Sequence, residues 1–107
     1  MRAATLVPLL LLAACTASQQ SLPGNPAHGQ RLFSGGCAVC HLPDSTAKKV
    51  GPGLKGLFQR NALPNGRQPT DDTVAEWVRQ GGNGMPPFKN ALNDRQMRDL
   101  ISYLKTL

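Results

Sequence analysis

Beyond His41 the chain has neither cysteine nor histidine, and its 107 residues hold only three of the former and two of the latter. That shortage bears on the one place where they gather, Cys37-Ala-Val-Cys40-His41. A zinc site takes three or four protein ligands, as a rule with a second Cys/His pair downstream, and no such pair follows. Strand-like alternation is absent too, which removes the α/β setting in which a Cys-x-x-Cys pair works as a redox dithiol at a helix N-terminus. Acids are scarce, six against twelve Lys and Arg, and aromatics make up only 5% of the chain. No helix-turn-helix pattern and no interleaving of basic with aromatic residues accompanies that positive excess, so nucleic acid is not an expected partner. No apolar run is long enough to span a bilayer.

The first twenty residues, MRAATLVPLLLLAACTASQQ, carry one early positive charge, an apolar run from Leu6 to Ala14 and then a polar stretch. That is the pattern of a secretory signal. Its end, Leu12-Ala13-Ala14-Cys15, resembles the lipobox of bacterial lipoproteins, in which cleavage falls just before a cysteine that becomes lipidated. Residues 1–14 are therefore expected to be removed and Cys15 to carry lipid, which also accounts for the unpaired cysteine of an exported chain. Residues 15–25, polar with Pro and Gly, read as a flexible tether, and residues 26–107 as one small domain. The basic excess left after loss of Arg2 suits solubility, attraction to anionic membranes, or an acidic partner surface.

The domain reads as all-α, with three main helices and long connections. Asn25-Pro26 supplies a cap and a first helical residue for a helix that Gly35-Gly36 should stop. His28, alone near its start, reads as a solvated side chain. Residues 42 to 69 hold Pro43, Gly51, Pro52, Gly53, Gly56, Pro64, Gly66 and Pro69, leaving room for a turn or two at LKGLFQR. A loop of that length is normally functional or wrapped around something. Thr70 caps DDTVAEWVRQ, with Val74, Trp77 and Val78 at helical spacing, and Gly81-Gly82 ends it. Asn93 with Gln96 forms a capping box for a last helix whose stripe is Met97, Leu100, Ile101, Leu104 and Leu107. A domain this small gains from packing against a cofactor.

With zinc and dithiol chemistry set aside, haem attachment remains for the cluster. One helical turn brings positions i and i+3 to the same face, so Cys37 and Cys40 direct both sulfurs toward one porphyrin while His41 turns its imidazole under the iron. A Cys-x-x-Cys-His string is the haem c attachment signature. The sixth iron ligand must come from elsewhere, from Met85 or Met97. Met97 belongs to an apolar helix stripe, where methionine is ordinarily core. Met85, between Gly84 and Pro86-Pro87, sits where no helix forms and a stiff loop can hold a thioether, and is the stronger candidate.

At this point the chain from about Asn25 onward resembles the class I c-type cytochromes. Gly29-Gln-Arg-Leu-Phe33 stands before Cys37 as the first-helix motif of that family does. Gly51-Pro52-Gly-Leu54 looks like its Gly-Pro-x-Leu segment, Gly84-Met85-Pro86-Pro87-Phe88 like its distal loop, and Leu100-Ile-Ser-Tyr103-Leu104 like its C-terminal helix. The resemblance implies a cytochrome c fold wrapped around one covalently bound haem c. It also implies His41 as proximal ligand, Met85 as distal ligand, and the Pro52 carbonyl as acceptor for the other His41 nitrogen. Gly29 would let the first and last helices cross closely, with Phe33 against Leu100 and Tyr103.

An iron with both axial positions filled has no place for substrate, so the expected function is that of a one-electron carrier rather than an enzyme. Such a carrier, a monomer on the periplasmic side of a bacterial membrane, would shuttle electrons from respiratory complexes or periplasmic dehydrogenases to a terminal oxidase or reductase. Lys48, Lys49, Lys55 and Lys89 would form a basic rim for acidic redox partners. The other readings are a small haem c subunit of a multisubunit oxidoreductase, such as a sulfur-compound oxidising assembly, and an open-site haem enzyme or sensor.

Overall fold

Asn25 starts the domain by accepting from the backbone N–H groups of Ala27 and His28 at 3.0 and 3.2 Å, with Pro26 pre-set as the first helical residue. The computed structural model describes residues 23–107; residues 1–14, Cys15 and the tether as far as residue 22 lie outside the described residues. Three α-helices follow in order, α1 (Pro26–Leu32), α2 (Asp71–Gln80) and α3 (Asp94–Leu104), with a short 3-10 turn at Leu57–Gln59. Among the described residues the nearest thing to a strand is one isolated bridge between Gly82 and Met85, and the expected all-α class stands.

The caps of α2 and α3 are reciprocal. Thr70 and Thr73 exchange side-chain and backbone hydrogen bonds, and Asn93 and Gln96 do the same. Met97, Leu100, Ile101 and Leu104 are buried on one face of α3, against Phe33 of the first helical segment and Val74, Ala75 and Val78 of α2. Phe33 meets Tyr103 edge-on, ring centroids 5.5 Å apart, so the pairing of first and last helices is the one the sequence motif implies.

The Gly35-Gly36 pair does not stop the first helix, contrary to the expectation. The chain continues as a π turn over Phe33–Cys37, in which Ala38 N–H donates to Phe33 O at 3.0 Å. A π turn inserts one residue into the helical course and re-aims everything after it. Cys37 is delivered directly from the end of a helix rather than from a loop.

Two further expectations give way at the same spot. His28 is not a free, solvated side chain: its Nδ1 lies 2.5 Å from Asp99 Oδ2 of α3. Asp99 also accepts from Asn25 N–H at 2.7 Å, and Ser102 Oγ donates to Gly24 O at 3.2 Å. The end of the segment read as tether is therefore fixed to α3, and the ordered domain includes Gly24 and Asn25. Asp99 is 4% exposed. The hydrogen bond from His28, then that from Asn25, with the charges of His28 and Arg95 adding, holds its carboxyl below the usual carboxylate range against the opposing effect of burial. A depressed folded-state pKa adds stability that is present above the unfolded value, near 4, and is lost as pH falls through the folded value. Unfolding midpoints followed by circular dichroism should thus drop as pH falls below about 4, and Asp99→Asn should flatten that acid limb. An unchanged acid limb in the variant would assign the loss to other groups.

Candidate cofactor site

The turn that begins where the π segment ends carries the cysteine cluster. Cys40 N–H and His41 N–H both donate to Cys37 O, at 3.1 and 2.9 Å. Cys37, Cys40 and His41 are thereby held on one helical turn, as their spacing required. Lys49 Nζ donates to Ala38 O at 2.9 Å and Gly51 N–H to Cys40 O at 2.8 Å, which clip the following loop onto that turn.

His41 is oriented by its outer nitrogen. Nδ1 lies 2.8 Å from Pro52 O, and a carbonyl oxygen only accepts, so Nδ1 bears the proton and the Nε2 lone pair of the neutral ring is left for a metal. Gly51 packs flat against the same ring: a Cβ there would fall 2.5 Å from His41 Cε1 and 2.9 Å from Nδ1. The loop in which Pro and Gly forbid long elements thus does specific work. It fixes the rotation of one imidazole from two sides.

These residues open onto a cavity of about 340 Å³. Cys37, Cys40, His41, Pro52 and Met85 all line it, so the cofactor residues that the resemblance implies meet at one place. Met97 is buried at 2% exposure in the core and takes no part in the lining, in keeping with its place in the helix stripe. Much of the wall is core: Phe33, Leu57, Leu63, Val74, Leu100 and Leu104 all face it. An apolar group seated there belongs to the core.

Residues that sequence reasoning left out or left open also reach the cavity. Trp77 of α2 lines it, which its helix spacing could not decide. Arg60 lines it as well, its guanidinium donating to Gly53 O and Lys55 O at 2.5 and 3.2 Å. Of the four rim lysines, Lys49 is tied to Ala38, while Lys48, Lys55 and Lys89 are exposed. Val39 and Val50, 68% and 69% exposed, stand beside the cysteine turn and at the cavity wall.

The site answers the three chemistries that the cluster raised. Among the described residues no three His, Cys, Asp or Glu side chains come together as a metal-binding group, so zinc has no ligand set there. Burial, with the neighbouring Cys40 adding, pushes the Cys37 thiol up, the reverse of an activated redox dithiol. An apolar cavity with two thiols on one helical turn, an oriented imidazole and a thioether fits a haem.

Fold and site together define a haem protein of the all-α, Cys-x-x-Cys-His class. A family model described as cytochrome C oxidase, cbb3-type, subunit III matches residues 24–104. The cytochrome c6 of Thermosynechococcus vestitus is 31% identical over 84 residues, covering 78% of this chain and 71% of that protein. That of Parathermosynechococcus lividus is 32% identical over 78 residues, covering 73% and 85%. The solved structure of cytochrome c6 from the diatom Phaeodactylum tricornutum superposes with a TM-score of 0.59 at 28% identity, over 78% of this chain and 93% of that one. The chain belongs to the cytochrome c family as a monohaem class I member, a one-electron carrier with a single covalently bound haem c. The matched span begins at Gly24, whose carbonyl accepts from Ser102 Oγ of α3.

Proposed function

We propose that Cys37 and Cys40 hold the haem as thioethers, that His41 and Met85 are its axial ligands, and that the chain carries electrons between membrane complexes or periplasmic dehydrogenases and a terminal oxidase or reductase. The observation that carries this reading is the meeting of an oriented imidazole and a thioether at one apolar cavity. Bound there, haem supplies an iron that takes up and releases one electron. The protein's part is to keep water away with core side chains, to fix His41 through Pro52 and Gly51, and to offer a soft thioether that favours the reduced iron. With His41 and Met85 both holding the iron, no open position would be left for substrate, which argues against an enzyme or gas sensor.

The exposed Lys48, Lys55 and Lys89 form a basic rim for acidic partner surfaces, and the reaction rate with such a partner should fall as ionic strength rises. A rate indifferent to salt would remove the rim from the mechanism. Residues 1–14 act as an export signal and lipidated Cys15 as an anchor on the periplasmic side of a bacterial membrane, with the monomeric domain held close to its partners. No helix among the described residues is long and apolar enough to cross a membrane. Cys15→Ser should release haem protein from the membrane fraction into the soluble one; unchanged fractionation would refute the anchor.

A second reading, a haem c subunit of a multisubunit oxidoreductase, is favoured by the description of the matched family model as an oxidase subunit. Stoichiometric copurification with a catalytic subunit from native membranes would select it over the free carrier.

A further inference from the structure

The segment that delivers Met85 has an unusual backbone. Gly81, Gly82, Asn83 and Gly84 have φ values of 67°, 143°, 52° and 88°, four successive residues on the positive side. Gly82 and Met85 exchange both backbone hydrogen bonds, each at 3.0 Å, and so close a two-residue hairpin around Asn83-Gly84. Its φ pair is that of a type I′ turn, for which Asn-Gly is the preferred sequence. On the far side of Met85, Pro86-Pro87 is stiff, and Phe88 N–H and Lys89 N–H donate to Val78 O and Arg79 O at 3.0 and 3.2 Å. Met85 is thus the end residue of a closed turn on one side and is tied back to α2 within three residues on the other.

Asn83 and Gly84 stand at the exposed edge of the cavity lining, and a Cβ at Gly84 would meet nothing within 4 Å. Gly84 has no side chain to pack, and what the two residues share is a left-handed backbone conformation. We infer that Asn83 and Gly84 are positioning residues for the distal ligand, their left-handed conformations presetting the Met85 thioether toward the cavity so that ligation does not have to order the loop. This rests on the reading of Met85 as axial ligand. A residue strained in the left-handed region favours an opened turn, and an opened turn releases the thioether.

The same backbone demand recurs at a place remote from Met85, which supplies a control. Gly66 has φ 82°, and a Cβ there would also meet nothing within 4 Å. Alanine at 66 and alanine at 84 therefore impose similar local strain on two different turns.

The test titrates the oxidised holo-protein with imidazole, which competes for the distal position, and follows the weak far-red sulfur-to-iron band. Asn83→Val and Gly84→Ala should need about tenfold less imidazole to lose half the band, from the per-residue cost of the left-handed region. Asn83→Gly, which keeps the turn, should titrate as the parent does, and so should Gly66→Ala. Parent-like titration of both Asn83→Val and Gly84→Ala would overturn the inference, as would an equal shift in Gly66→Ala, which would mark a general loss of stability. Met85→Ala checks the underlying reading separately: a band that survives in it means that Met85 is not the ligand, whatever the turn variants do.

Discussion

Met85→Ala should abolish the far-red band of the oxidised holo-protein and leave an iron that binds added cyanide or imidazole readily, whereas Met97→Ala should keep the band. The two methionines are the only ones among the described residues and differ in every physical respect. Met85 lines the cavity from a loop closed on Asn83-Gly84, while Met97 is 2% exposed among Leu100, Ile101 and Leu104. Under the proposed ligation, removing the thioether takes away the group that favours reduced iron, so the reduction potential should fall by on the order of 100 mV, within the roughly 0.8 V that ligand identity spans. The fold should survive, because Met85 is only partly buried. Met97→Ala has the opposite profile: a core cavity costing about 2–5 kcal/mol, read in denaturant, with the spectrum intact. A band that outlives Met85→Ala, or that disappears with Met97→Ala, would reverse the assignment of core and ligand.

That contrast was legible in the sequence because the two methionines sit in different local grammars. Met97 repeats with Leu100, Ile101 and Leu104 at helical spacing, and Met85 stands between a glycine and two prolines. The cysteine turn was legible for the same reason, since a five-residue motif encodes its own geometry. What stayed hidden depends on contacts across the chain. Asp99 lies 71 positions from His28, and nothing local marks either residue as paired. The one available sign was that Asp99 stands a helical turn before Tyr103, on the face that the motif resemblance sets against the first helix. The π turn was hidden differently. Gly35-Gly36 carries an ordinary helix-stop signal, and the packing of Phe33 and the destination of Cys37 override it. Arg60 reaches the cavity because the loop from 42 to 69 wraps it, and the path of a loop rich in Pro and Gly follows from what it encloses; Trp77 reaches it from α2, whose helical spacing alone does not say what that face meets.

The crossing that brings Asp99 to His28 depends on the missing methyl group at Gly29, and Gly29→Ala should show how much rests on it. A Cβ at Gly29 would run into the carbonyl oxygen of Asp99 and come within 2.8 Å of Tyr103 Cβ. One obstacle is backbone and the other the root of a side chain, so no rotamer relieves the clash and α1 must lift from α3. Lifting it strains the Asp99 bonds to His28 and Asn25 and the edge contact of Phe33 with Tyr103. The expected loss is about 3 kcal/mol or more, a large share of a net stability of about 5–15 kcal/mol, measured as a shift in the denaturant midpoint of the holo-protein. Gly35→Ala is the matched comparison, since a Cβ there meets nothing within 4 Å, and it should stay within about 0.5 kcal/mol of the parent. Equal midpoints for the two variants would mean that the helices cross more loosely than this geometry requires. Because Met85 is held through α2 rather than α1, the far-red band of Gly29→Ala should persist up to the unfolding transition and vanish with it, whereas in Met85→Ala it is absent from the start.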